Sequence, residues 1–222
     1  EVKLNGDQAL VKFSSEFDNF EVNKAEELEI PKEKISQAIK NITRKELEAL
    51  KFAKKRIEEF ATFQKSKSWD YISDGIKLGE KVTPVNKAGI YVPGGSAVYP
   101  SSVLMNSVPA KVAGVSEIIM VVPSPKGEVN NLVLAAAFLG GVDRVFRIGG
   151  AHAIAALAFG TNTIPKVNMI VGPGNQYVAE AKKELYGEVG IDSFAGPSEI
   201  LIIADSKANI SWLVADLFSQ AE

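Results

Sequence analysis

The sequence has no cysteine and only one histidine, His152. Without thiols, the 222 residues hold no disulfide, no thiolate zinc site and no cysteine nucleophile. With one imidazole, they supply neither an ordinary His/Cys zinc cluster nor an arguable Ser-His-acid triad. An excess of charge of one sign is also missing. The 25 basic and 27 acidic residues leave a formal net charge of −2, so no polyanion, and hence no nucleic acid, is implied as a partner. No apolar run approaches the ~18 residues of a membrane span. The opening EVKLNGDQAL has no signal-peptide pattern. The expectation is a soluble, cytoplasmic protein with no membrane partner.

What is present is enough apolar residue, 46% of the chain, to bury a substantial core in one large or two small domains. Charge divides the chain unevenly. Residues 1–90 carry 17 Lys/Arg and 16 Asp/Glu, whereas the remaining 132 carry only 8 and 11. The first part reads as solvated helices and the second as a buried α/β sheet, with a boundary near Val85–Ala88.

In the first part Pro31 suits the first turn of a helix running to about Asn41. Thr43 with Glu46 has the spacing of a capping box opening a long helix. Leu47, Leu50, Ala53, Ile57, Phe60 and Phe63 then recur at helical spacing, which predicts a core-facing stripe. Between Tyr71 and Val85, Gly75 and Gly79 separate short apolar stretches and predict a hairpin or two short strands. In the second part strand-like segments at 88–92, 117–122, 144–148, 167–171 and 199–204 alternate with helical ones at about 103–113, 130–140, 151–159, 176–185 and 209–222. Short, fully apolar strands separated by helices predict a parallel sheet with helices on both faces, preceded by an N-terminal helical region. Such sheets bind ligands beyond the carboxyl ends of their strands. Glycine turns at 94–95, 149–150 and 172–174 each follow a strand directly, so they should gather at one edge.

Three of these turns invite chemistry. In YVPGGSAVYPSS (91–102) adjacent glycines after a strand suit either a phosphate cradle or a plain tight turn. Tyr91 suits either core packing or a stack on a flat ring. In GPGNQYVAEAKK (172–183) Asn175 stands where a helix N-cap would be, free also to face a bound cofactor. His152 opens a helix just beyond a strand, where a structural role is the commoner one. On the last helix Asp216 and Gln220 are four apart and share a face, which by itself is an ordinary solvated surface.

Taken together, YVPGG with AVYPSSVLM, IGGAHAIAALAFGT, GPGN with YVAEAKK, IDSFAGPSEILIIAD and DLFSQAE resemble the histidinol dehydrogenase family over the whole chain, matching about the first half of a typical member. The resemblance implies a Rossmann-like cofactor-binding domain at 88–198. It makes 1–87 part of a second α/β domain, to which a strand and helix at 199–222 return. It implies a zinc- and NAD-dependent oxidation of L-histidinol, through the aldehyde, to L-histidine by a homodimer. Tyr91, His152 and Asn175 become cofactor contacts, His152 at a position where many relatives have Gln. Ser198 becomes a substrate contact, and Gln220 a zinc ligand beside the substrate. The family's other metal ligands, an Asp and two His, and its catalytic Glu-His pair match nothing in these residues. The chain alone is therefore expected to be inactive, with no catalytic residue of its own. Two readings from other classes remain: a nucleotide-binding module without catalysis, and a purely structural subunit.

Overall fold

The computed structural model of the chain describes residues 1–94, 98–194, 196 and 199–219. Ser198 and Gln220 lie outside the described residues. The N-terminal part forms α1 (Val2–Asn5), α2 (Asp7–Asp18), a 3₁₀ turn (Ala25–Leu28), α3 (Lys32–Gln37), a second 3₁₀ turn (Ala38–Asn41) and the long α4 (Arg44–Gln64). At the start of α4, Thr43 Oγ1 accepts from the Glu46 amide at 3.2 Å, and Glu46 Oε2 accepts from the Thr43 amide at 2.7 Å. This is the capping box that the spacing predicts.

The predicted stripe on α4 holds for only part of its length. Leu50 is buried and Ala53 and Ile57 are half-buried, but Phe60 is 67% and Phe63 87% exposed. Ala61, eleven residues after Leu50 and so on the same face, is still buried, whereas Phe60 and Phe63 have drifted off that face toward solvent. The expected hairpin follows as β1 (Trp69–Ser73) and β2 (Ile76–Glu80), paired antiparallel. Its turn residues Asp74 and Gly75 both have positive φ, as a two-residue type I′ turn needs. Every residue of the hairpin is exposed, apolar ones included.

The second part alternates strand and helix: β3 (Lys87–Tyr91), α5 (Pro100–Ala113), β4 (Glu117–Val121), α6 (Asn131–Gly140), β5 (Arg144–Phe146), α7 (Gly150–Phe159), β6 (Met169–Val171), α8 (Gln176–Glu184) and β7 (Gly190–Ile191). The five strands form one parallel sheet in the order β5-β4-β3-β6-β7. Side chains alternate across it, as the pleat requires. Tyr91, Ile119, Val121, Phe146 and Ile170 face a core shared with α2, α7 and α8. Ala88, Ile90, Ile118, Met120 and Val145 face a second core shared with α3, α4, α5 and α6. Helices on both faces explain why the strands are apolar throughout.

One expected element is missing. Residues 199–204 form no strand, and Leu201 and Ile203 stand 85% and 92% exposed. The segment is apolar enough for a buried strand, but no neighbouring ladder is there to hold its backbone, and a strand is made by its partners. Beyond it α9 (Ile210–Phe218) is capped by Asn209, whose side chain accepts from the Ser211 amide at 3.0 Å. No helix among the described residues is long and apolar enough to cross a membrane.

Candidate functional site

Strand order in the sheet reverses at β3, with β4 and β5 on one side and β6 and β7 on the other. At such a switch point the loops leaving neighbouring strands diverge and open a crevice beyond the carboxyl ends. A cavity of about 830 Å³ lies there, within the roughly 300–1,000 Å³ usual for ligand sites. Its wall takes Pro93 and Gly94 from beyond β3, Pro123 from beyond β4, the start of α7 from beyond β5, and Asn175 from beyond β6. Tyr91, His152 and Asn175, singled out in the sequence, all line it.

Tyr91 ends β3 and is 2% exposed. Its hydroxyl accepts a hydrogen bond from the Gly150 amide at 3.1 Å, tying the central strand to the first turn of α7. Burial pushes its phenol pKa up, an effect that the nearby Asp18 carboxylate reinforces. The core packing expected of Tyr91 is realised, and its buried ring also forms part of the cleft wall.

The start of α7 has no side-chain cap. Glycine is required just before it, because a Cβ on Gly149 would lie 2.3 Å from Pro123 Cγ. The backbone of this turn can therefore close against Pro123, while the first amides of α7 border the cavity. The Gly150 amide is taken by the Tyr91 hydroxyl, but the next amides of the turn, with the helix dipole, suit a phosphate.

His152 stands on that first turn, buried, with ring contacts to Phe13 and Phe17 of α2 at centroid separations of 5.3 and 5.8 Å. Its Nε2 has no hydrogen-bond partner. Burial lowers its pKa from the usual 6.5 to about 4, so the ring is neutral at pH 7. The unfolded chain binds this proton more readily than the folded one. The folded state is therefore unpenalised above pH 6.5 and loses stability as pH falls from 6.5 toward 4. At ~1.4 kcal/mol for each tenfold step in proton affinity, the loss approaches about 3 kcal/mol. The unfolding free energy of the wild type minus that of His152→Gln, measured across this range, should show that decline. A flat difference would contradict it.

Asn175 is the N-cap of α8: its Oδ1 accepts from the Tyr177 and Val178 amides, both at 3.1 Å. With the oxygen spent on the cap, the side-chain NH₂ is the group left for a ligand. The preceding turn is pinned from behind. The Gly172 amide donates to Asp192 Oδ2 at 2.8 Å, and the Gly172 carbonyl accepts from Lys182 Nζ at 3.1 Å. Lys182 also pairs with Asp192. Nothing in the local pattern around Lys182 or Asp192 announces this clamp, since both read as ordinary surface charge.

The cavity also takes Asp18, which sequence pattern alone does not single out. It is the last residue of α2, is 8% exposed and lines the cavity, and its Oδ2 has no hydrogen-bond partner. Burial pushes its carboxyl pKa up. The one available signal was an acid in the last turn of a helix, where the dipole disfavours it. No Lys or Arg lines the cavity among the described residues. Metal chemistry finds no support there, since no group of three or more His, Cys, Asp or Glu gathers among the described residues.

Comparison with known proteins converges on one family. The family model described as histidinol dehydrogenase matches residues 1–222. The chain is 57% identical to the histidinol dehydrogenase of Methylococcus capsulatus, covering all of this chain and 51% of that protein. It is 55% identical to that of Pseudomonas savastanoi pv. phaseolicola, covering all of this chain and 50% of that one. The crystal structure of histidinol dehydrogenase from Elizabethkingia anophelis superposes with a TM-score of 0.92 at 37% identity, over 99% of this chain and 51% of that chain. The chain thus spans about half the length of the curated relatives it matches.

Proposed function

This chain belongs to the histidinol dehydrogenase family, and we propose that its cleft is the NAD site of a two-step oxidation of L-histidinol, through the aldehyde, to L-histidine. One observation carries the reading: Tyr91, His152 and Asn175 line a single cavity at the switch point of a parallel sheet. NAD would supply the hydride acceptor in both steps. The chain's own residues bind and orient it. The first turn of α7, past the Gly150 amide held by Tyr91, faces the pyrophosphate. Neutral His152 and the Asn175 amide supply polar contacts without adding charge. The rings of Tyr91, Phe13 and Phe17 keep water from the flat parts of the ligand. Holding the cofactor still before the substrate arrives removes an entropic part of the barrier.

Ser198 as a substrate contact, and Gln220 as both substrate contact and zinc ligand, belong to this proposal through the resemblance alone. The described residues do not fit a zinc ion, and no step above runs through one. The same holds for the homodimer, the cytoplasmic setting and the division at 1–87, 88–198 and 199–222. What supports that division is the exposed apolar surface of the hairpin, of Leu201 and Ile203, and of Trp212 and Phe218 on α9. A surface of this kind marks contact with further protein.

NADH formation tests the proposal. The 222 residues alone, their mass verified, should yield none from L-histidinol. The same residues fused to the second half of the Methylococcus capsulatus enzyme should yield two NADH per histidine. A fusion that folds and binds NAD yet makes no NADH would overturn the dehydrogenase reading in favour of a nucleotide-binding module.

A further inference from the structure

We propose that Asp18 recognises the vicinal diol of the cofactor's adenosine ribose and excludes dinucleotides that carry a 2′-phosphate. The inference deepens the cofactor reading above and rests on it.

In dinucleotide-binding sheets the ribose is commonly held by an acid near the end of the second strand, whose two oxygens take the two hydroxyl protons. Here the second strand of the sheet is β4, and it runs out into Val122-Pro123-Ser124-Pro125-Lys126, with no carboxylate. Ser124 is fully buried and its Oγ donates to the Val122 carbonyl at 2.9 Å, so it is not free for a ligand. The sheet thus lacks the expected acid, yet two acids from elsewhere in the chain line the cavity beside it: Glu1, whose carboxylate is paired with Lys12, and Asp18.

Asp18 is placed against the usual rules three times over. It is 8% exposed. Its Oδ2 is buried without a partner. It ends α2, where the negative pole of the helix opposes a carboxylate. A residue kept where folding gains nothing from it is the mark of a binding group. A ribose diol offers two O–H donors, and an ionised carboxylate only accepts, so the two are complementary. A 2′-phosphate removes one donor and adds negative charge, and no Lys or Arg lines this cavity among the described residues to receive it. His152, neutral beside the two phenylalanines of α2, leaves that balance unchanged.

Calorimetric titration of the purified protein with NAD, NADP, AMP, 2′-deoxy-AMP and nicotinamide mononucleotide tests this, for the wild type and Asp18→Asn, with thermal unfolding of both. The wild type should prefer NAD to NADP and AMP to 2′-deoxy-AMP. In Asp18→Asn, NAD should weaken about ten- to a hundredfold, the range for losing hydrogen bonds to a charged group. NADP should not weaken, the preference for AMP over its deoxy form should vanish, and the melting temperature should rise. Equal weakening of NAD and NADP, or no change in either, would overturn the assignment. So would a loss confined to nicotinamide mononucleotide, which would move the contact to the other ribose. A wild type that binds no NAD would instead remove the cofactor reading itself, and this inference with it.

Discussion

Gly172→Ala should cost the protein about 3 kcal/mol or more and abolish NAD binding. Gly172 follows β6 with φ near +110°, a region nearly closed to residues with a side chain. Holding alanine there costs about 1–3 kcal/mol in strain alone. A Cβ would also lie 2.1 Å from the Tyr91 carbonyl oxygen, which belongs to the central strand and has little room to yield. Relief would have to come from the turn itself, breaking its bonds to Asp192 and Lys182 and shifting Asn175 out of the cleft. Gly187→Ala is the matched control. Its φ of +100° is equally strained, but nothing lies within 4 Å of the added carbon. Urea unfolding of the two variants should separate them by the cost of the collision. Equal losses would mean that the turn adjusts freely.

The second large effect concerns Tyr91. Tyr91→Ala should lose about 3–5 kcal/mol, the usual consequence of deleting a buried aromatic ring, and the cleft should lose its wall with it. Tyr91→Phe keeps the ring and removes only the acceptor of the Gly150 amide, so the loss should be about 1 kcal/mol. NAD affinity should follow the same order, abolished in the first variant and reduced within about tenfold in the second. Abolished binding in Tyr91→Phe with wild-type stability would instead put the hydroxyl in direct contact with the ligand.

The sequence made the sheet legible because its strands are short, wholly apolar and punctuated by glycine, and helices on both faces leave that pattern unmixed. The same logic places Tyr91, His152 and Asn175 at one edge, since each sits at or just past a strand end. Pattern reasoning failed where an element's state depends on what lies against it. Residues 199–204 have the composition of a buried strand and no partner, so they stay irregular. Phe60 and Phe63 recur at near-helical spacing but sit off the α4 face that buries Leu50 and Ala61. Strand β7, at two residues, is too short for any period to show. Asp18, Phe13 and Phe17 reach the cleft from α2, far away in sequence, and the Lys182–Asp192 clamp is a tertiary pairing of two residues unremarkable on their own.

The decisive measurement is a crystal structure of the protein grown with saturating NAD. One dinucleotide should lie across the carboxyl ends of β3, β4, β5 and β6, its pyrophosphate at the first turn of α7 and the adenosine ribose hydroxyls on Asp18. A cleft holding only solvent under those conditions, or NAD bound elsewhere on the chain, would contradict it.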